Sequence, residues 1–144
     1  SVPGLAEEGP ATAKALHQAI ARGLVRSCHD LSEGGLGVAL AEVAMAGRLG
    51  ATVALGEVPT EMATPPGMSL LFSESNGRYL VEVRAEDVEA FEDLVWSVPH
   101  GRIGHVVADP TVSIEGTAAG LGLSLPVSAI ERAWRGHLDG RTGR

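Results

Sequence analysis

The run "SCHDLSEGGLGVALAEVAMAG", residues 27–47, constrains this chain more than any other stretch. A polar segment carrying His29, Asp30, Ser32 and Glu33 meets the pair Gly34-Gly35 and passes at once into an apolar helix. Leu36, Ala39, Leu40, Val43 and Ala44 recur at the spacing of a buried stripe, and Val38, Ala41 and Met45 widen it. An arc that broad needs cover on two sides, so the helix predicted over 33–46 belongs inside a layered domain. The preceding "LVRSCHD" reads as a short strand. A strand that turns into a helix leaves the first helical N–H groups unpaired. Ser32 or Asp30 is placed to cap one of them, and the rest favour an anion. Inside a helix each glycine costs about 1 kcal/mol relative to Ala. The glycine pair therefore marks a close approach, by a ligand, another strand or another domain.

The rest of the chain supplies the layers. Residues 11–23 read as a helix with Ala15, Leu16, Ala19 and Ile20 on one face and Gly23 at C′. Gly47 and Gly50 are expected to end the central helix, and 51–55 to form a strand. Residues 56–67, with Pro59, Pro65 and Pro66, read as a loop, and 68–75 as a short helix. Residues 77–85 alternate as a strand, with Tyr79, Val81 and Val83 on one face and Leu80 and Glu82 on the other. A helix over 85–98 buries Val88, Phe91, Leu94 and Val95. Strands are expected at 102–109 and 111–116, joined by a turn at Asp109-Pro110, and a closing helix over 126–138 with Pro126 first. The pattern is α+β: a mixed β-sheet with helices packed on it, antiparallel where strands are close in sequence. Residues 1–10 read as a linker or entry segment, 11–138 as the domain, and 139–144 as a mobile tail.

Composition narrows the function classes. A net charge of −7 argues against nucleic acid and against an anionic membrane surface. No stretch approaches the ~20 apolar residues of a membrane span, and no signal-peptide pattern follows Ser1. One cysteine, Cys28, makes neither an intrachain disulfide nor a zinc site, which points to the cytoplasm. Its flanking segments read it as a small buried hydrophobe. The chain opens on Ser1 rather than Met, which reads as a fragment or a processed piece.

A second polar cluster, Glu74, Ser75, Asn76 and Arg78, surrounds a turn expected at Asn76-Gly77. If that turn meets the first motif, Ser32, Glu33, Gly34, Gly35, Glu74, Ser75 and Arg78 form one rim for a phosphate, nucleotide or other substrate. The alternative is a capped, tightly packed strand-to-helix turn at the first motif and a solvated turn with a surface ion pair at the second. Strand neighbours point to opposite faces, so His29 and Asp30 are not placed to share a proton, and His29 reads as structural. His100 and His105 lack metal-ligand spacing and read as structural or exposed, and His17 and His137 read as surface residues on helices. No P-loop, Rossmann glycine fingerprint, nucleophile elbow or HExxH occurs, so no catalytic set is complete.

"HDLSEGGLGVALAEVAMAG" followed by "LFSESNGRYLVEV" resembles the C-terminal domain of the aminoimidazole-ribonucleotide-synthetase superfamily. Within it the chain is most similar to the second C-terminal copy of the PurL-type synthases, over about residues 11–138, and "AIERAWRGHL" is similar to their end. The resemblance implies a layered fold like the PurM C-terminal domain. It implies a part of an ATP-dependent carbon–nitrogen ligase of purine biosynthesis that amidates formylglycinamide ribonucleotide. It also implies ATP and Mg²⁺ in the full enzyme, with the catalytic histidine and most of their ligands on other domains. Implied partners are those domains, a glutaminase subunit and a small bridging subunit. Asn76-Gly77 stands where the first copy continues Gln-Glu, which implies a scaffold or a pseudo-symmetric auxiliary nucleotide site here. Competing expectations are a ligand-free interaction module, or a domain of a selenophosphate synthetase, thiamine-phosphate kinase or hydrogenase maturation protein.

Overall fold

Eleven regular elements follow one another in a computed structural model that describes residues 9–60, 67–74, 76–116 and 122–138. Helix α1 spans Gly9–Ala21, β1 Ser27–Asp30, α2 Gly35–Gly47, β2 Gly50–Ala54 and α3 Gly67–Phe72. Then come β3 Tyr79–Glu82, α4 Val88–Val95, β4 Gly104–Val107, β5 Thr111–Glu115, β6 Gly122–Pro126 and α5 Val127–Leu138. Single 3₁₀ turns sit at Leu55–Glu57 and Ala85–Asp87. Residues 1–8 of the expected entry segment and the tail 139–144 lie outside the described residues.

The strands form two sheets. β1 and β3 make an antiparallel pair, with Ser27 opposite Glu82 and Asp30 opposite Tyr79. The other four are ordered β4-β2-β5-β6, with β2 antiparallel to β4, parallel to β5, and β5 antiparallel to β6. The register sets Val106, Ala51, Val112 and Leu125 in one cross-strand row, and Gly104, Val53, Ile114 and Leu123 in another. Alternation places His105, Thr52, Ser113 and Ser124 on the opposite, polar face. That is the in–out pattern of a sheet covered on one side.

Helix α2 is the piece that covers it. Leu36, Ala39, Leu40 and Ala44 are buried with Leu31, Val53, Leu55, Leu70, Leu71, Val112, Ile114 and Val127 in one core. Leu36 and Leu55 are enclosed on all sides, each stabilising the fold by about 1.5–3 kcal/mol. A smaller cluster joins α1 to α4 through Ala15, Val95 and Val98, with Phe91 and Leu94 alongside. The end of α1 closes as expected. Gly23, at φ 73°, donates to the Ile20 carbonyl and Leu24 to that of Ala19, a Schellman motif.

Several expectations are corrected. Ile20 is 49% exposed, because it lies past the edge of the stripe that meets α4. Gly50 does not end α2. It opens β2, and a Cβ there would lie 2.0 Å from the Asp109 carbonyl oxygen. The chain between β4 and β5 thus passes close over Gly50. The Asp109-Pro110 turn is tight, with Thr111 donating to the Asp109 carbonyl at 2.7 Å. It joins strands that lie on either side of β2 and do not pair with each other. α2 ends on Arg48, which carries the left-handed φ of 52°. Pro126 closes edge strand β6 and does not start α5, as suits a residue without an N–H to donate. β6, over Gly122–Pro126, adds a strand beyond those the sequence pattern predicts.

Candidate functional site: the glycine junction and its clasp

The pairing of β1 with β3 carries both polar clusters to one edge of the molecule. Leu31 donates to the Arg78 carbonyl at 3.0 Å, extending the contact one residue past Asp30–Tyr79. Beyond it the chain turns through Gly34 and Gly35, both left-handed at φ 72° and 66°. Such values favour glycine.

The two clusters meet there. The Gly34 N–H donates to Glu74 Oε1 at 3.0 Å across 40 residues of sequence. Gly34 is the N-cap of α2 and receives no side-chain cap from its own segment. Neither Ser32 nor Asp30 caps the helix, because the Ser32 hydroxyl donates to the Asp30 carboxylate instead. That hydrogen bond is the leading cause holding the Asp30 carboxyl below its usual pKa. The anion expected at the helix N-terminus is therefore a side chain of this same protein, Glu74.

Gly35 is buried. A Cβ on it would lie 2.8 Å from the carbonyl oxygens of both Leu71 and Ser73, at the end of α3. The close approach is thus backbone against backbone. Arg78, half-buried, donates from its guanidinium to Ser73 Oγ at 3.1 Å, and desolvation lowers its pKa. It remains a cation. Ser32, Glu33 and Glu74 are exposed around this junction, and Gly77, at φ 79°, sits in the expected turn. Ser75 lies outside the described residues. Asn76, Gly77 and Arg78 also line a groove of about 1070 Å³ whose walls include Leu40, Leu80 and Phe91.

His29 also has partners. Its Nε2 lies 2.6 Å from Glu42 Oε2 on α2, and its Nδ1 lies 2.6 Å from the Asp30 carbonyl oxygen. The Asp30 carbonyl first, then Glu42, raise its pKa, against the desolvation that lowers it. The Asp30 carboxylate is 3.8 Å away, so the two side chains are not an acid–base pair. Sequence reasoning missed Glu42, although it is the only charge in "GLGVALAEVAMAG". It also read Cys28 wrongly. Cys28 is exposed, because Ser27 and His29 take the inward positions of β1 and leave Cys28 and Asp30 outside. Among the described residues no group of three or more His, Cys, Asp or Glu is placed to hold a metal.

A glycine-bent strand-to-helix junction clasped by the turn before β3 defines a class of domain. The family described as AIR synthase related protein, C-terminal domain, matches residues 3–116, and the chain belongs to it. Its relatives include PurL subunits. It is 48% identical over 88 residues to phosphoribosylformylglycinamidine synthase subunit PurL of Thermococcus gammatolerans, covering 61% of this chain and 12% of that protein. With the PurL subunit of Lactobacillus helveticus it shares 39% identity over 122 residues, 85% of this chain and 15% of that protein. The fold matches Thermotoga maritima PurL in its complex with FGAR, with a TM-score of 0.73 at 24% identity, over 83% of this chain and 20% of that one. It also matches the hydrogenase maturation protein HypE in complex with ATP, with a TM-score of 0.64 at 20% identity, over 78% of this chain and 38% of that one. The chain thus spans a small fraction of the length of the relatives it matches. Those matches bear out the α+β fold class and the PurL-type resemblance.

Proposed function

We propose that this chain acts as the C-terminal domain of a phosphoribosylformylglycinamidine synthase of the PurL type. It completes a cleft in which other domains bind ATP and Mg²⁺ and perform the carbon–nitrogen ligation. The observation that carries the reading is the Gly34–Glu74 bond, which joins the two motifs that carry the resemblance into one clasp. The relatives' names and the T. maritima PurL structures with FGAR and with ATP support it. On this reading the rim of Ser32, Glu33, Gly34, Gly35, Glu74 and Arg78 borders the ribonucleotide, with Arg78 as the cation for its phosphate. The reading carries with it, as partners, the other domains of the synthase, a glutaminase subunit and a small bridging subunit, and a cytoplasmic location; the T. maritima PurLQS structure supports an assembly of more than one subunit.

A second reading is favoured by the same bond. Glu74 already fills the anion position at α2, so the rim closes on itself and the domain serves as scaffold. Steady-state kinetics of the full synthase carrying this domain separate the two. On the first reading Arg78→Ala raises KM for the ribonucleotide about tenfold or more, as loss of one charged contact does. Unchanged kinetics in a well-folded Arg78→Ala enzyme would leave the scaffold reading. The isolated chain is expected to turn over no ATP, and turnover by it would refute both.

A further inference from the structure

We propose that His29 is held as an imidazolium and forms a pH-sensitive latch between β1 and α2, controlling how firmly the turn from Asp30 to Gly34 is fixed. The geometry is the ground. A neutral imidazole has one N–H donor and one acceptor nitrogen. Here both ring nitrogens face oxygen acceptors at 2.6 Å, the Asp30 carbonyl and the Glu42 carboxylate. Only the doubly protonated ring can donate to both.

The charged groups around the ring are anionic. Asp30 on its own strand is 3.8 Å away and Glu42 approaches from α2. From β3 the register partner is Leu80, which carries no charge. Among the described residues Glu42 pairs with no Lys or Arg. Losing the proton would therefore set a ring lone pair against an acceptor oxygen and leave Glu42 without its cation. The carbonyl in the latch belongs to the last residue of β1, where the chain leaves the strand for the glycine junction. Release would act on that hinge, and it would do so whatever the rim binds. The shift in the His29 pKa agrees in direction. The sign follows. With the folded pKa raised, the latch is fully made below the ordinary histidine value of about 6.5 and is lost as pH rises through the higher folded value.

Nitrogen-15 imidazole NMR of the 144-residue chain tests this, together with amide exchange at Gly34 and Gly35 corrected for the intrinsic base-catalysed rate. Both His29 nitrogens should be protonated at pH 6.5, and protection at the two glycines should fall in step with His29 deprotonation. Glu42→Gln keeps an acceptor and removes the charge, and should weaken proton binding at His29 about tenfold. His29→Gln should remove the step in exchange. A single neutral tautomer at pH 6.5, or a step that persists in His29→Gln, overturns the proposal. Should His29→Gln fail to fold, Glu42→Gln decides, and an unchanged His29 titration there overturns it.

Discussion

Replacing Gly35 by valine tests the claim that the junction exists to bring two backbones together. Gly35 has φ 66°, a conformation that costs an L-residue about 1–2 kcal/mol. The new Cβ would stand 2.8 Å from the carbonyl oxygens of Leu71 and Ser73, and 3.1 Å from the carbonyl carbon of Phe72. These are backbone atoms at the end of a helix whose Leu70 and Leu71 are locked in the core, so they have little room to yield. Overpacking of this kind costs about 1–3 kcal/mol. The sum is roughly 2–5 kcal/mol, a large share of the 5–15 kcal/mol typical of a domain. At about 2–8 °C per kcal/mol, Tm should fall by on the order of 10 °C. Gly47→Ala is the control. Gly47 is the last residue of α2, has no left-handed φ, and has open space where a Cβ would go. That change should be neutral or stabilise by up to about 1 kcal/mol. Thermal denaturation by circular dichroism reads both. A Gly35→Val variant that melts with the wild type would refute the reasoning, because neither the strain nor the clash could then be real.

Three further outcomes follow from the same geometry. Glu74→Ala removes the acceptor of one exposed helix N-terminal N–H and should cost about 0.5–1 kcal/mol in urea unfolding, less than Gly35→Val. Arg48→Gly relieves the one left-handed non-glycine φ among the described residues. With αL strain of about 1–2 kcal/mol set against 0.4–1 kcal/mol of added unfolded-state entropy, Tm should hold or rise by a few degrees. Glu92 receives two hydrogen bonds from the Arg102 guanidinium, and the Arg102 contact is the main cause holding its pKa below the usual range. A depressed carboxylate stabilises the fold above its unfolded pKa of about 4.3 and stops doing so as pH falls through the lower folded value. Carboxyl carbon NMR of Arg102→Ala should show Glu92 titrating at a higher pH than in the wild type. An unmoved Glu92 titration would mean that the ion pair is not formed in solution.

How far the sequence could be read depended on whether the deciding partner was near in the chain. The stripe of α2 and the glycine stop of α1 are local, and both stand as expected. The order of the larger sheet is not local. β4 and β5 look like a hairpin because three residues separate them, yet β2, some 50 residues upstream, lies between them. β6 escaped notice because "GLSLP" is five residues bounded by Gly and Pro, and its leucines remain about 40% exposed. The site divides along the same line. The glycine pair announced a close approach, but not that Leu71 and Ser73 supply it. The sequence points to cap residues in the preceding turn, whereas the carboxylate comes from residue 74.

That distant carboxylate sets the terms for any ligand at the junction. A helix N-terminus offers its free N–H groups and the positive end of its dipole, and here Glu74 takes the Gly34 donor while the Leu71 and Ser73 carbonyls press against Gly35. A phosphate arriving at Gly34 would have to displace a carboxylate held beside that donor and would meet Asp30 and Glu33 close by in the chain. Arg78 is free of this conflict, since its guanidinium donates to a neutral hydroxyl, that of Ser73. The chemistry that invites an anion in the sequence is thus largely spent on holding β1, α2 and α3 together, and Arg78, unlike Arg26, Arg84 and Arg102 along the same groove, is held by a hydroxyl rather than by a carboxylate.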